Sequence, residues 1–429
     1  MRIKPVGIST AGLGLLIAAG CGGGGGSSTA PVDRPEGKVV TDNPRGWVSW
    51  ADLQQIPLDS QLQARISDHG TDVYERPVFL RSTYEEGGDK KALIEPAVGA
   101  ADGEGDSGTP VLYKGKVVGA IYAGADIHHL YVRSIEQMME ATRSWGAAPK
   151  IFVSTTEPDF INALLKRQPA DFAKRVVVQS PPKVGSAATR AIDTHPIPGR
   201  KFAATFVSGP DVSIYTLATF TLQAADGRWL ASGHSIEGAG AGAGARKLPV
   251  STAFADGRLD NGDIWAHPIG VAYGTLTNDT QYGSVVDATA NRAVLTPLIT
   301  KYALDGVGFT TTHQVSDDND SDEEQFATQS GLLTGIFHTI GASRKQVHGN
   351  AVLKVTYPDG TINTYDFTAD PNNSGELQGT GEDVFFSIEF WVQDKLSGLV
   401  SLEKEPSKVE LTVDLVSGPP TPPTAKKAK

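Results

Sequence analysis

With a single cysteine, Cys21, in 429 residues, the chain can form no intramolecular disulfide and no cysteine-rich metal site. Positive charge is short as well. Its 38 Lys and Arg face 49 Asp and Glu, a net charge of −11, and a surface of that sign repels phosphate backbones, which excludes nucleic acid as a partner. The basic tail Lys426-Lys427-Ala428-Lys429 is too short to reverse this. The apolar stretch at 7–19 is too brief for a membrane span. The acidic segment 316–324 lacks a calcium loop's glycine at position six and glutamate at position twelve, counted from Asp317 or Asp318, so it reads as a solvated loop. No internal repeat is strong enough to use. The expectation is no cofactor and no metal.

What is present begins with turn formers. The 48 Gly and 26 Pro point to a mainly β chain with a few helices, and the length predicts two or three domains. Arg2 and Lys4 precede the short apolar stretch, as in a secretory signal. It ends Leu16-Ile17-Ala18-Ala19-Gly20-Cys21, which resembles the bacterial lipoprotein processing box, except that Ala18 stands where leucine is usual. That resemblance implies cleavage before Cys21 and lipid on its sulfur, with Gly22 to Ser28 as a flexible tether. The mature protein is expected to be extracytoplasmic and anchored to the bacterial cell envelope, with the membrane as partner through Cys21.

The pattern along the chain divides it into a signal peptide at 1–20, a tether at 21–46 and a serine-containing β half at 41–150. A helical, Pro-rich connector follows at 151–200, then a histidine-containing β half at 201–300, a C-terminal antiparallel β domain at 301–416 and a disordered tail at 417–429. Helices are predicted over 132–145 and 157–175. The C-terminal domain reads as sandwich-like, from strand-like runs at 351–357, 362–367, 384–392 and 409–416.

The chemistry centres on Gly105-Asp106-Ser107-Gly108-Thr109-Pro110. Glycines on both sides let Ser107 sit on a tight turn with its hydroxyl exposed, as a nucleophile requires. A β-hairpin turning at Lys114-Gly115 follows and gives it a rigid mount. In such a turn the amides of Gly105 and Ser107 converge as an oxyanion hole.

A serine needs a base, and near neutral pH that is usually histidine. The trypsin-like order His, Asp, Ser would require His69, only 38 residues upstream and too close for most of two barrels. His128 and His129 leave the hairpin without an obvious path back, and His267 precedes Pro268 in a strand-like run. His234, behind Gly233 and following the Asp226-Gly227 turn, is the best candidate. The third member of a triad is open: Asp89, Glu95 and Asp102 all precede the serine.

The segment Gly-Asp-Ser-Gly-Thr-Pro-Val-Leu-Tyr-Lys-Gly-Lys-Val-Val-Gly-Ala at 105–120 resembles the serine segment of the stage IV sporulation protein B peptidases. Asp226-Gly227-Arg228-Trp229-Leu230-Ala231-Ser232-Gly233-His234, with 248–253 and 274–279, resembles their histidine segment. The serine segment comes first here, as in a second branch of that family. The resemblance implies two β-rich halves like a permuted chymotrypsin-like serine peptidase, a protein or peptide substrate, catalysis by Ser107 and His234 with an acid such as Asp102 or Asp89, and possible self-processing. It departs from the family in reading Gly-His-Ser, in carrying Asp106, in the Gly/Ala run at 238–245, and in having no visible PDZ domain. Two other readings stand beside it: a non-catalytic envelope lipoprotein that binds proteins on such a scaffold, and an adhesin carried by the C-terminal domain.

Overall fold

The computed structural model describes residues 38–97, 106–125, 128–139, 151–179, 195–234, 247–258, 264–280, 282–289, 291–316, 321–373, 375–400 and 406–420. The signal peptide, Cys21, Asp102, Gly105, the Gly/Ala run 238–245 and the last nine residues of the tail lie outside the described residues.

Alternating apolar residues make the first half a barrel. After β1 (Lys38–Val40) and α1 (Trp50–Leu53) come β2 (Gln61–Ile66), β3 (Val73–Glu86), β4 (Asp89–Pro96), β5 (Pro110–Tyr113), β6 (Lys116–Gly124) and β7 (Leu130–Ser134). Six strands pair antiparallel in the order β3-β2-β5-β6-β7-β4, and β4 returns to β3 to close the circuit. Closure leaves no unpaired edge among them. Leu62, Ala64, Val78, Leu80, Ala92, Ile94 and Val132 fill the interior. Each large one contributes about 1.5–3 kcal/mol relative to an exposed side chain. The β5–β6 hairpin turns at Lys114 (φ 51°) and Gly115 (φ 78°), the expected two-residue turn with both residues left-handed. The helix expected over 132–145 starts later, because 130–134 is the strand β7 that joins β6 to β4; α2 spans Ile135–Met139.

The connector holds more than helix. β8 (Ile151–Thr155), α3 (Pro158–Leu165), α4 (Ala170–Ala173) and β9 (Val176–Gln179) form a unit whose two strands run parallel.

A second circuit follows: β10 (Lys201–Ser208), β11 (Val212–Gln223), β12 (Trp229–Ala231), β13 (Leu248–Arg258), β14 (Ile264–Thr280) and β15 (Gly283–Asp287). The order β10-β13-β14-β15-β12-β11 closes through antiparallel pairing of β11 with β10, and β8 pairs along β11. Inside it Phe202 stacks on Phe220, with ring centroids 4.6 Å apart, and Trp229 packs against Phe220 at a tilt, at 5.3 Å. Leu112, Val117 and Ala120 of the first barrel, Ile135 and Met138 of α2, and Leu222 and Leu230 of the second make one apolar cluster along the seam. The chain is therefore mainly β, with a chymotrypsin-like β-rich fold.

The C-terminal region continues the second barrel's sheet. β16 (Leu295–Leu304) and β17 (Val307–Ser316) are followed by α5 (Ser321–Ile336), a π-helical turn Phe337–Gly341, β18 (Gln346–Thr356), β19 (Ile362–Asp366), β20 (Leu377–Thr380), α6 (Gly381–Val400) and β21 (Lys408–Ser417). β17 pairs with β10, and β21 lies between β16 and β18. One expectation changes here. The run 384–392 is helical, and with α5 it packs against the apolar core in place of a second sheet. Its β-branched and aromatic content favours a strand. However, Val384, Phe385, Ile388, Val392 and Leu396 are buried at helical spacing. Thr380 and Asp383 cap the helix reciprocally: the Asp383 amide donates to Thr380 Oγ1 (3.2 Å) and the Thr380 amide to Asp383 Oδ2 (3.0 Å).

Candidate active site

The serine turn is built before β5 and held by both barrels. The Thr109 amide donates to Asp106 O (2.9 Å) and closes the turn, and the Gly108 amide donates to Ile121 O on β6 (2.8 Å). From the second barrel, the Thr219 amide donates to Ser107 O (3.1 Å) and Thr221 Oγ1 donates to Gly108 O (2.7 Å). Gly108 has φ +91°, and a Cβ there would lie 2.3 Å from Thr219 O and 2.6 Å from Ser232 N. Only glycine fits so close to another backbone.

The histidine follows β12 through a bend at Ser232, a buried residue with φ 51°. That left-handed conformation is uncommon for serine and costs roughly 1–2 kcal/mol. Its amide donates to Thr219 O (3.2 Å), and its hydroxyl oxygen accepts from the His234 amide (3.4 Å). Thr219 thus braces the serine turn through its N–H and the histidine bend through its C=O. Gly233 lies against β6, where a Cβ would meet Tyr122 Cβ at 2.5 Å. Arg133 Nη1, buried on β7, donates to Gly233 O (2.8 Å). Its guanidinium lies over the Tyr122 ring at 4.2 Å and faces Tyr282 at 5.2 Å. The outcome is a Ser107 Oγ to His234 Nε2 separation of 2.5 Å, joining side chains 127 residues apart.

The remaining candidates are placed differently. Asp89 does not stand behind the imidazole: its carboxylate lies 3.4 Å from Arg133 of β7, a diagonal contact, since Lys91 is the residue paired opposite Arg133. Glu95 accepts from Arg81 Nε (2.6 Å). His69 faces Asp68 (3.3 Å), and His267 faces Asp256 (2.7 Å). Asp102 and Gly105, the other candidate acid and the expected second amide donor, lie outside the described residues. Among the described residues, the Ser107 amide donates to no acceptor. Burial and the negative charge of Asp89 push the Tyr122 hydroxyl above its ordinary pKa, with Arg133 opposing, so this phenol beside the site stays protonated.

Sequence reading missed Thr219, Ser232, Arg133 and Lys201. The one available signal was a cation inside an otherwise apolar strand, as at Leu130-Tyr131-Val132-Arg133-Ser134. Among the described residues, no group of three or more His, Cys, Asp or Glu could hold a metal ion. No helix there is long and apolar enough to cross a membrane. No family model, no curated protein and no solved structure matches the chain.

Proposed function

We propose that the protein is a lipid-anchored, extracytoplasmic serine endopeptidase of the kind its two glycine-flanked motifs resemble. The observation that carries the reading is the 2.5 Å contact between Ser107 Oγ and His234 Nε2 at the seam of two barrels. A hydroxyl at that distance can give its proton to a neutral imidazole as Oγ attacks a peptide carbonyl. The oxyanion that forms is received by backbone amides, of which Ser107 supplies one and Gly105 the second. His234 then passes the proton to the leaving amine, and the peptide bond breaks to leave an acyl-enzyme on Ser107. Water, deprotonated by the same ring, releases the acid and restores the serine. An acid on the far side of the imidazole, Asp102 being the sequence candidate, would hold the ring in the tautomer this requires.

Anchoring through Cys21 would put this chemistry at the membrane surface, with exposed protein segments as substrate. The test is hydrolysis of an unstructured protein substrate by wild type, Ser107→Ala and His234→Ala. Wild type should cleave, and each variant should lose about 10³-fold or more. Equal turnover by all three would sink the proposal, and an inert wild type would leave the non-catalytic lipoprotein.

A further inference from the structure

Lys201 is the first residue of β10, and its side chain is fully buried, with 0 % exposed. A lysine is almost never found in that condition without a partner, because removing an ammonium from water is costly unless charge and hydrogen bonds replace the hydration. Its Nζ lies 3.8 Å from Asp106 Oδ1, whose side chain is 6 % exposed, and within 3.4 Å of Thr219 Oγ1. Asp106 immediately precedes Ser107. Thr219, paired opposite Lys201 in the β10–β11 register, is the residue whose amide holds Ser107 O. One buried cation of the second barrel therefore sits beneath the serine turn of the first and meets the Asp106 carboxylate of that turn.

We propose that Lys201 is a positioning residue for Ser107. By drawing the Asp106 carboxylate inward, it fixes the turn that aims the Ser107 hydroxyl at His234 and turns the Ser107 amide toward the forming oxyanion. This inference rests on the peptidase reading above. Without the ammonium, burial of the Asp106 carboxylate is no longer offset by the Lys201 charge, and relief of that penalty shifts the turn that carries Ser107. The apolar side chains of the barrel interiors are left unchanged by substitution of Lys201 or Asp106. It follows that the serine half is not competent alone: its nucleophile is set by a charge the other half supplies.

The experiment compares fluorophosphonate acylation rates and peptide kcat and KM for wild type, Lys201→Met, Asp106→Asn and the double variant, with unfolding midpoints measured alongside. Lys201→Met should stay folded at the assay temperature and acylate about 100-fold more slowly, with kcat falling far more than KM. The double variant, which has no carboxylate left to expel, should return to within about tenfold of wild type. That rescue separates a seated turn from a general loss of stability. A folded Lys201→Met that acylates at the wild-type rate overturns the inference. So does a folded double variant as slow as Lys201→Met, and so does a double variant that cannot fold, which would make the pair a folding determinant. An inert wild type instead overturns the peptidase reading itself.

Discussion

Adding one methyl group at Gly108 tests how the site is held together. Gly108→Ala forces a Cβ onto a residue at φ +91°, where the new atom would lie 2.3 Å from Thr219 O and 2.6 Å from Ser232 N. Both are backbone atoms of the second barrel, so no side chain can rotate away. Backbone strain costs roughly 1–2 kcal/mol. Opening the contact also loses the bonds from Thr219 N to Ser107 O and from Thr221 Oγ1 to Gly108 O. At about 1 kcal/mol each, the total is about 3–4 kcal/mol. A shift of about 1 Å in the turn should slow Ser107 acylation about 100-fold. Gly115→Ala is the matched control, because Gly115 is also left-handed, at φ +78°, but nothing lies within 4 Å of its added Cβ. It should lose only the strain, about 1 kcal/mol, and keep its reactivity. Urea unfolding and acylation rates read both quantities. If the two variants behave alike, the close approach of the barrels is not what fixes the serine.

Arg133→Leu leaves Gly233 O and Asp89 without their cation; the cost should be about 2–3 kcal/mol in unfolding free energy, with slower acylation because the His234 bend loosens. His313 is fully buried, neither ring nitrogen has a hydrogen-bond partner among the described residues, and burial holds its pKa below the ordinary 6.5 while Asp211 opposes. The unfolded chain therefore binds the extra proton first, so stability should fall as pH drops below 6.5, by up to about 1.4 kcal/mol per pH unit. Urea midpoints at pH 7.5 and 5.5 should show a shallower acid loss in His313→Gln; an unchanged slope would put the acid sensitivity elsewhere. Cys21→Ala should move the protein from the membrane fraction to the soluble fraction without changing its unfolding midpoint, and a variant that still sediments with membranes would contradict lipid anchoring.

The β-rich halves and the pairing of Ser107 with His234 are legible because they rest on local signals. Glycines around Ser107 and before His234 mark turns, and the strands between them alternate. What holds the site was not legible. Thr219 is an ordinary strand threonine until β11 is seen against both the serine turn and the Ser232 bend. Lys201 at a strand start reads as a solvated charge, but the fold buries it between Thr219 of β11 and Asp106 of the serine turn. Asp89 reads as a candidate acid from its position before the serine, but its carboxylate pairs with Arg133 of β7, which stands opposite Lys91 two residues along β4. The helix over 384–392 was misread because its residues favour strands, although Thr380 and Asp383 carried a cap signal three residues apart. Pairwise chemistry between distant segments is set by register, and a single sequence does not print register.

The most direct measurement is the intact mass of the protein after a fluorophosphonate probe, followed by mapping of the modified peptide. The account predicts one adduct per chain, on Ser107, at a rate that falls by orders of magnitude in His234→Ala. An unmodified wild type, or an adduct on Ser107 that forms equally fast without His234, would contradict it.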